Sequence, residues 1–333
     1  MERIVVVVDQ FEEARNLIKV GTIAHLRMAL LLLDNGAEVL MYRAVVNRMQ
    51  HHEWGSRLLD RAREVMSTEK LVEFQKEFNI RPLSAKERKA LLHDYAAKVN
   101  FLVSEAKLPK AVGEVLKAIQ RYRNEAYHRD KIRKETLRSA VVVLYDVAVE
   151  LLTRLPGLTV GYSSGDDWTG FCQRYGFKGP FDLLHSGGLD KIAASLRTGV
   201  NLTTQELGEG LAQHLKERLD EIERLLVFVA DNAAGGLTPQ HELKRIQFWA
   251  EHDVVPDAND SRLGSYEATF SGEDIRRWRA ASAALVQQTD RLDLFSAFAR
   301  IELEIEELEE MVHEAASLLD QAIQFEIDRQ RGK

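Results

Sequence analysis

The chain has 333 residues, 45% hydrophobic and 29% charged, with a mean hydropathy of -0.26 and a formal net charge of -7. This is globular composition, enough for two domains at ~150 residues each, and it excludes a disordered chain or a small stapled scaffold. Apolar runs such as residues 4–8 and 28–33 are far short of the ~18 to 20 residues that span a bilayer, and the start lacks the apolar run of a secretory signal. A cytoplasmic protein without a membrane anchor is expected. Cys172 is the only cysteine, which rules out an internal disulfide and zinc-finger spacing.

In chain order, residues 4–8 have the β-branching of a strand, with no evident partner strand. Residues 13–34 predict a helix from Leu17, Ile18, Val20, Ile23, Ala24, Leu26 and Leu30, and Asn35-Gly36 offers a left-handed stop. Further helices are expected to about Gln50 and over 56–78. Ser84-x-x-Glu87 is a capping box ahead of a helix over 90–106, and Pro109 suits the first turn of the next. Residues 131–155, with AVVVLYDVAVELL at their centre, are too long for one strand and read as a helix ended by Pro156-Gly157.

Eleven of the 20 glycines lie between 157 and 210, so residues 156–202 read as a Gly/Pro-rich connector with short helices. Beyond it Thr203-x-x-Glu206 caps a helix to about Ala230, and Thr238-Pro239 opens another. From Ser271-x-x-Asp274 the chain is expected to be helical to the terminus. There Leu294, Phe298, Ile301, Ile305, Leu308, Val312, Ala315, Leu319 and Ala322 form a heptad seam, either an intermolecular coiled coil or the spine of an intramolecular bundle, with Ala at two core positions favouring the bundle. Glu302, Glu304, Glu306, Glu307, Glu309 and Glu310 are expected on its solvated face. The fold class is therefore all-α: a helical bundle over 1–155, the connector over 156–202, and an acidic helical region over 203–333 with a long C-terminal helix.

Charge separates the halves. Residues 1–155 hold 27 Lys and Arg against 21 Asp and Glu, whereas the remainder holds 18 against 31. A basic half suits a polyanionic partner and an acidic half repels one. The P-loop, the Rossmann glycine pattern, HExxH and GxSxG are all absent, so no cofactor is expected. No metal site is expected either: adjacent His51 and His52 point apart on a helix, and His51-His52-Glu53 reads as surface decoration. Loop 161–168 reads as a polar connection with Trp168 tucked onto a core. Residues 190–215 scan as helix, turn, helix, but Glu206 and Glu209 stand where bases would be read, so a DNA-binding regulator ranks last.

The basic segment 121–138 contains RNEAYH, Arg123 to His128. Arg88/His93, Arg121/His128 and Arg245/His252 also have the spacing Arg, four to six residues, His, but only Arg123 is followed by Asn. The first and last of these pairs read as solvated helix residues. With a helix before this motif and a strongly apolar helix directly after it, the chain over about residues 13–155 resembles the HEPN superfamily; the competing reading of the cluster is an exposed basic turn between helices. The resemblance implies a dimeric, metal-independent ribonuclease, often with toxin or antiviral roles and a neutralising or triggering protein partner. Some relatives carry a modifiable Tyr two residues after the His; Asp130 stands there in this chain.

The chemistry fits such an activity. Cleaving RNA through its own 2′-hydroxyl needs a base, an acid, and fixed positive charge for the phosphorane. His128 suits the base in one protomer and the acid from the other, Arg123 the charge, and Asn124 the orientation of His128 or the phosphate. Asn124 and His128 share a helix face, whereas Arg123 and His128 diverge by ~140°. One protomer therefore looks incomplete, which agrees with a homodimer. Tyr127 would stack on a base, with packing in the core as the stronger competing reading, and Arg121, Arg129, Lys131, Arg133 and Lys134 would hold the RNA backbone. The rival expectation is a non-catalytic helical interaction protein that works through its long C-terminal helix.

Overall fold

The computed structural model of the protein describes residues 2–78, 80–81, 83–128, 134–155, 168–179, 182, 187–198, 200, 203–232, 237–257 and 260–331, with 2, 3, 125–128 and 135 described by backbone alone. The described residues are all-α, with fourteen α-helices, one short 3-10 turn and no strand. None of these helices is long and apolar enough to cross a membrane. The chain divides into two compact units, Met1–Leu202 and Thr203–Lys333.

The first unit contains α1 (Glu2–Val20), α2 (Ile23–Ala62), α3 (Thr68–Glu77), α4 (Ala85–His93), α5 (Tyr95–Ser104), α6 (Lys110–His128), α7 (Lys134–Arg154), α8 (Thr169–Tyr175) and α9 (Gly188–Arg197). The segment 4–8, read as a possible strand, is the start of α1. Ile4, Val7, Val8, Phe11, Ala14 and Leu17 are buried at three- and four-residue steps, and this helical periodicity outweighs the β-branching.

The two early glycines exchange the expected roles. The chain breaks at Gly21, which takes φ +69°, and Thr22 then caps α2 by accepting from the His25 N–H at 3.4 Å. No stop occurs at Asn35-Gly36. A Cβ at Gly36 would sit 2.5 Å from the Phe11 ring, so glycine is needed there to bring α1 against α2. The expected helix over 56–78 is divided too, since α2 continues to Ala62 and α3 begins after Ser67.

The Ser84–Glu87 capping box is present, but the helix expected over 90–106 is interrupted at Asp94. Its backbone is extended and its carboxylate accepts from the Ala97 N–H at 2.9 Å, so Asp94 starts α5 afresh. Residues on every side of α7 are buried, from Leu137 through Val141, Leu144 and Val147 to Leu152. That burial explains a valine-rich helix: α7 packs against α1, α2, α6 and α9.

The stretch read as a connector contributes α8 and α9 to the first unit. Trp168 is buried and meets Phe171 edge to face at 6.1 Å, while residues 156–167 lie outside the described ones. Tyr175 donates to Glu12 at 2.7 Å, and the buried Tyr145 hydroxyl donates to the Leu196 carbonyl at 2.7 Å. The two helices of the 190–215 reading thus fall in different units, with α9 burying Ile192, Ala193 and Leu196 in the first.

The second unit contains α10 (Thr204–Asn232), α11 (Pro239–His252), α12 (Ser261–Ser265), α13 (Gly272–Ala284) and α14 (Arg291–Gln330). Thr203 and Glu206 exchange capping bonds, Thr238 caps α11, and Ser271 with Asp274 forms a capping box. The helix expected to run unbroken from Ser271 is interrupted after the 3-10 turn Leu285–Gln287. Asp290 accepts from the Leu292 and Asp293 N–H groups and begins α14.

The seam is buried from Leu294 to Val312, and α14 packs against α10, α11 and α13 as a bundle. Two of the glutamates expected in solvent are in the core. Glu302 and Glu309 flank the seam and hold the buried Arg218 of α10, which donates to Glu302 at 2.9 Å and to the two oxygens of Glu309 at 3.1 and 2.5 Å. The Trp278 indole donates to Glu304 at 2.7 Å.

Candidate functional site

The amphipathic α6 turns Val112, Val115, Leu116, Ile119 and Tyr122 into the core, which leaves Arg121, Arg123 and Asn124 towards its edge. The helix is regular through His128. The backbone therefore keeps 124 and 128 on one face and turns 123 away by about 140°. Asn124 is exposed. Arg121 lies over the Tyr122 ring, 4.9 Å from its centroid, and donates to the Tyr122 hydroxyl at 3.1 Å.

Arg123 meets a carboxylate that the sequence reading did not assign. Its Nε lies 3.1 Å from Oδ2 of Asp34 in α2; the Asp34 side chain is 4% exposed and that of Arg123 is 32% exposed. Burial pushes the Asp34 carboxyl up to about 6, against the pull of the Arg123 guanidinium and with a smaller push from Glu38. Tyr95 of α5 is buried nearby, and its phenol is pushed far up by burial, then by Asp34 and Glu38. Lys98, also buried, reaches Glu38 at 2.8 Å. Asp34, Glu38, Tyr95, Lys98 and Arg123 thus form one polar cluster shared by α2, α5 and α6. Asp34 was visible in the sequence as an acid beside the apolar Leu30 and Leu33 positions of a helix.

The side chains of Tyr127 and His128, and all of Arg129, Lys131 and Arg133, lie outside the described residues. Lys134 is the exposed first residue of α7.

A second cluster corrects the reading of His51-His52-Glu53 as surface decoration. His52 is 1% exposed, accepts from the Arg81 N–H through Nδ1 at 3.3 Å, and lies edge to face with Phe101. Its Nε2 is 3.3 Å from Glu105, poorly aligned for a hydrogen bond, and Glu105 also holds Arg48. Burial lowers the His52 pKa more strongly than Glu105 raises it. Beside this cluster a cavity of about 280 Å³ is lined by Arg48, His51, Lys107 and Arg154 among others. Arg48 is 14 positions beyond Asp34, about 21 Å along α2, so the two clusters are separate places.

The remaining Arg/His pairs have local partners. Arg88 donates to the Leu83 carbonyl and to Glu53; Arg245 pairs with Glu242, and His252 stacks on Phe248 at 4.2 Å. Among the described residues no three His, Cys, Asp or Glu side chains converge as metal ligands. Comparison with protein-family models, with curated proteins and with solved structures returns no match.

Proposed function

We propose that the first unit acts as a HEPN-type, metal-independent endoribonuclease, with a composite site formed by the ends of α6 from two protomers. Arg123 carries this reading. Its guanidinium is held through Nε by a buried carboxylate and is about a third exposed, beside exposed Asn124, on the last turns of the helix that ends at His128. A guanidinium fixed in this way presents preorganised positive charge, which is what phosphate oxygens and a developing phosphorane require.

In this reading His128 removes the 2′-hydroxyl proton in one protomer, and His128 of the second protonates the departing 5′-oxygen. Asn124 orients the imidazole or the phosphate. Arg121, Tyr127, Arg129, Lys131, Arg133 and Lys134 hold the RNA, and Asp34 positions Arg123. A toxin or antiviral role in the cytoplasm, with a neutralising or triggering protein partner, belongs to the same proposal.

The Asp34–Arg123 pair also favours a second reading, a non-catalytic helical interaction protein, because it gives Arg123 a structural role that needs no RNA. The two are separated by incubating the purified protein with mixed cellular RNA in EDTA, beside His128→Ala and Arg123→Ala, with end-group analysis of the fragments. EDTA-resistant cutting that leaves cyclic phosphate, and falls by about a hundredfold or more in both variants, is expected. Folded variants that behave as wild type would overturn the ribonuclease reading.

A further inference from the structure

The heptad seam of α14 outlasts the core it builds. Its first six positions are buried, but Ala315 and Leu319 are only half-buried and Ala322 is exposed. These last three line a cavity of about 360 Å³ bounded by the end of α10, by α11 and by α14. Ala315 and Ala322 lack the side-chain volume that would close it. Ile246 and Trp249 of α11, Val229 of α10, and Leu318 supply the rest of an apolar wall.

One residue in that wall has the wrong chemistry for a hydrophobic core. Glu242 is 0% exposed, and neither carboxylate oxygen receives a hydrogen bond from the described residues. Arg245 Nε lies 3.3 Å from Oε2 without hydrogen-bond alignment, so the charge is only partly compensated. Burial accordingly pushes the Glu242 carboxyl above its ordinary range, against Arg245 and His241. A buried acceptor without a donor is destabilising, more so when charged, and a ligand that brings the donor recovers that cost. Glu242, Arg245, Ile246 and Trp249 follow one another at helical spacing, so a single face of α11 presents both the acceptor and the apolar wall.

We propose that this cavity is a binding site for an apolar amine, a ligand whose hydrocarbon body fills the space against Trp249 and Leu319 and whose ammonium donates to Glu242. An ammonium brings up to three donors and no acceptor, which answers two carboxylate oxygens that accept no hydrogen bond; a carboxylate ligand would add a second anion beside the first. The site lies wholly in the second unit and does not depend on the ribonuclease reading.

Isothermal titration calorimetry of the full chain with n-octylamine, n-octanol and octanoate, matched in carbon body, tests it. Octylamine is expected to bind roughly tenfold or more tightly than either of the others. Glu242→Gln is expected to remove the preference for the amine over the alcohol, and Ala322→Trp to weaken both by filling the cavity mouth. Ala322 is exposed, so that variant keeps the test decisive if Glu242→Gln fails to fold. The proposal is overturned if octylamine does not bind, if it binds both variants as it binds wild type, or if octanoate binds best, which would make Arg245 the recognising group.

Discussion

Asp34 joins stability to pH at the proposed site. Its carboxyl titrates near pH 6 in the folded protein against an ordinary 3.8, so folding favours the protonated form. The sign follows: this contribution is fully present below about pH 4 and is lost as pH rises through about 6. At about 1.4 kcal/mol per unit it amounts to roughly 3 kcal/mol. Asn cannot titrate, so the stability of Asp34→Asn relative to wild type is expected to rise by up to that amount between about pH 4 and pH 7, as measured by urea unfolding. A difference that stays flat across that range would show that Asp34 is not buried as described. His52 acts with the opposite sign, because burial lowers its pKa; its contribution is present above pH 6.5, its ordinary value, and is lost as pH falls.

At the scale of the helices, close approach and buried charge decide most. Gly36→Ala places a methyl 2.5 Å from the Phe11 ring, and moving α1 away from α2 is expected to cost about 1 to 3 kcal/mol in chemical denaturation. Adding Phe11→Leu should recover part of the loss, and a Gly36→Ala protein as stable as wild type would contradict the packing. In the second unit, Arg218→Ala removes the guanidinium shared by the buried Glu302 and Glu309 and is expected to cost about 3 to 5 kcal/mol. Arg218→Met with Glu302→Gln and Glu309→Gln should cost less than the single change, since the stranded charge is then gone. A single variant that unfolds with the wild-type midpoint would show the triad to be solvated.

The whole molecule consists of two units whose charges differ in sign: residues 1–202 hold 31 basic against 25 acidic side chains, and the rest of the chain is acidic. The second unit has its own core, from Leu211 and Leu215 on α10 to Phe298, Ile305 and Val312 on α14. Residues 203–333 expressed alone are therefore expected to be helical and to melt cooperatively by circular dichroism. A gradual, non-cooperative melt would show that this core needs the first unit.

Periodicity and capping chemistry are local, and for that reason the all-α class, the caps at Ser84, Thr203, Thr238 and Ser271, and the α14 seam were legible in the sequence alone. What only the tertiary structure decided depended on neighbours distant along the chain. Phe11 determines that Gly36 is a contact rather than a stop, and Arg218 determines that Glu302 and Glu309 lie inside. Asp34 turns Arg123 from a lone motif residue into half of a buried ion pair. A glycine, a glutamate or an arginine has the same local signature whether it faces water or a partner, and the energy that separates the two cases arises when the helices meet.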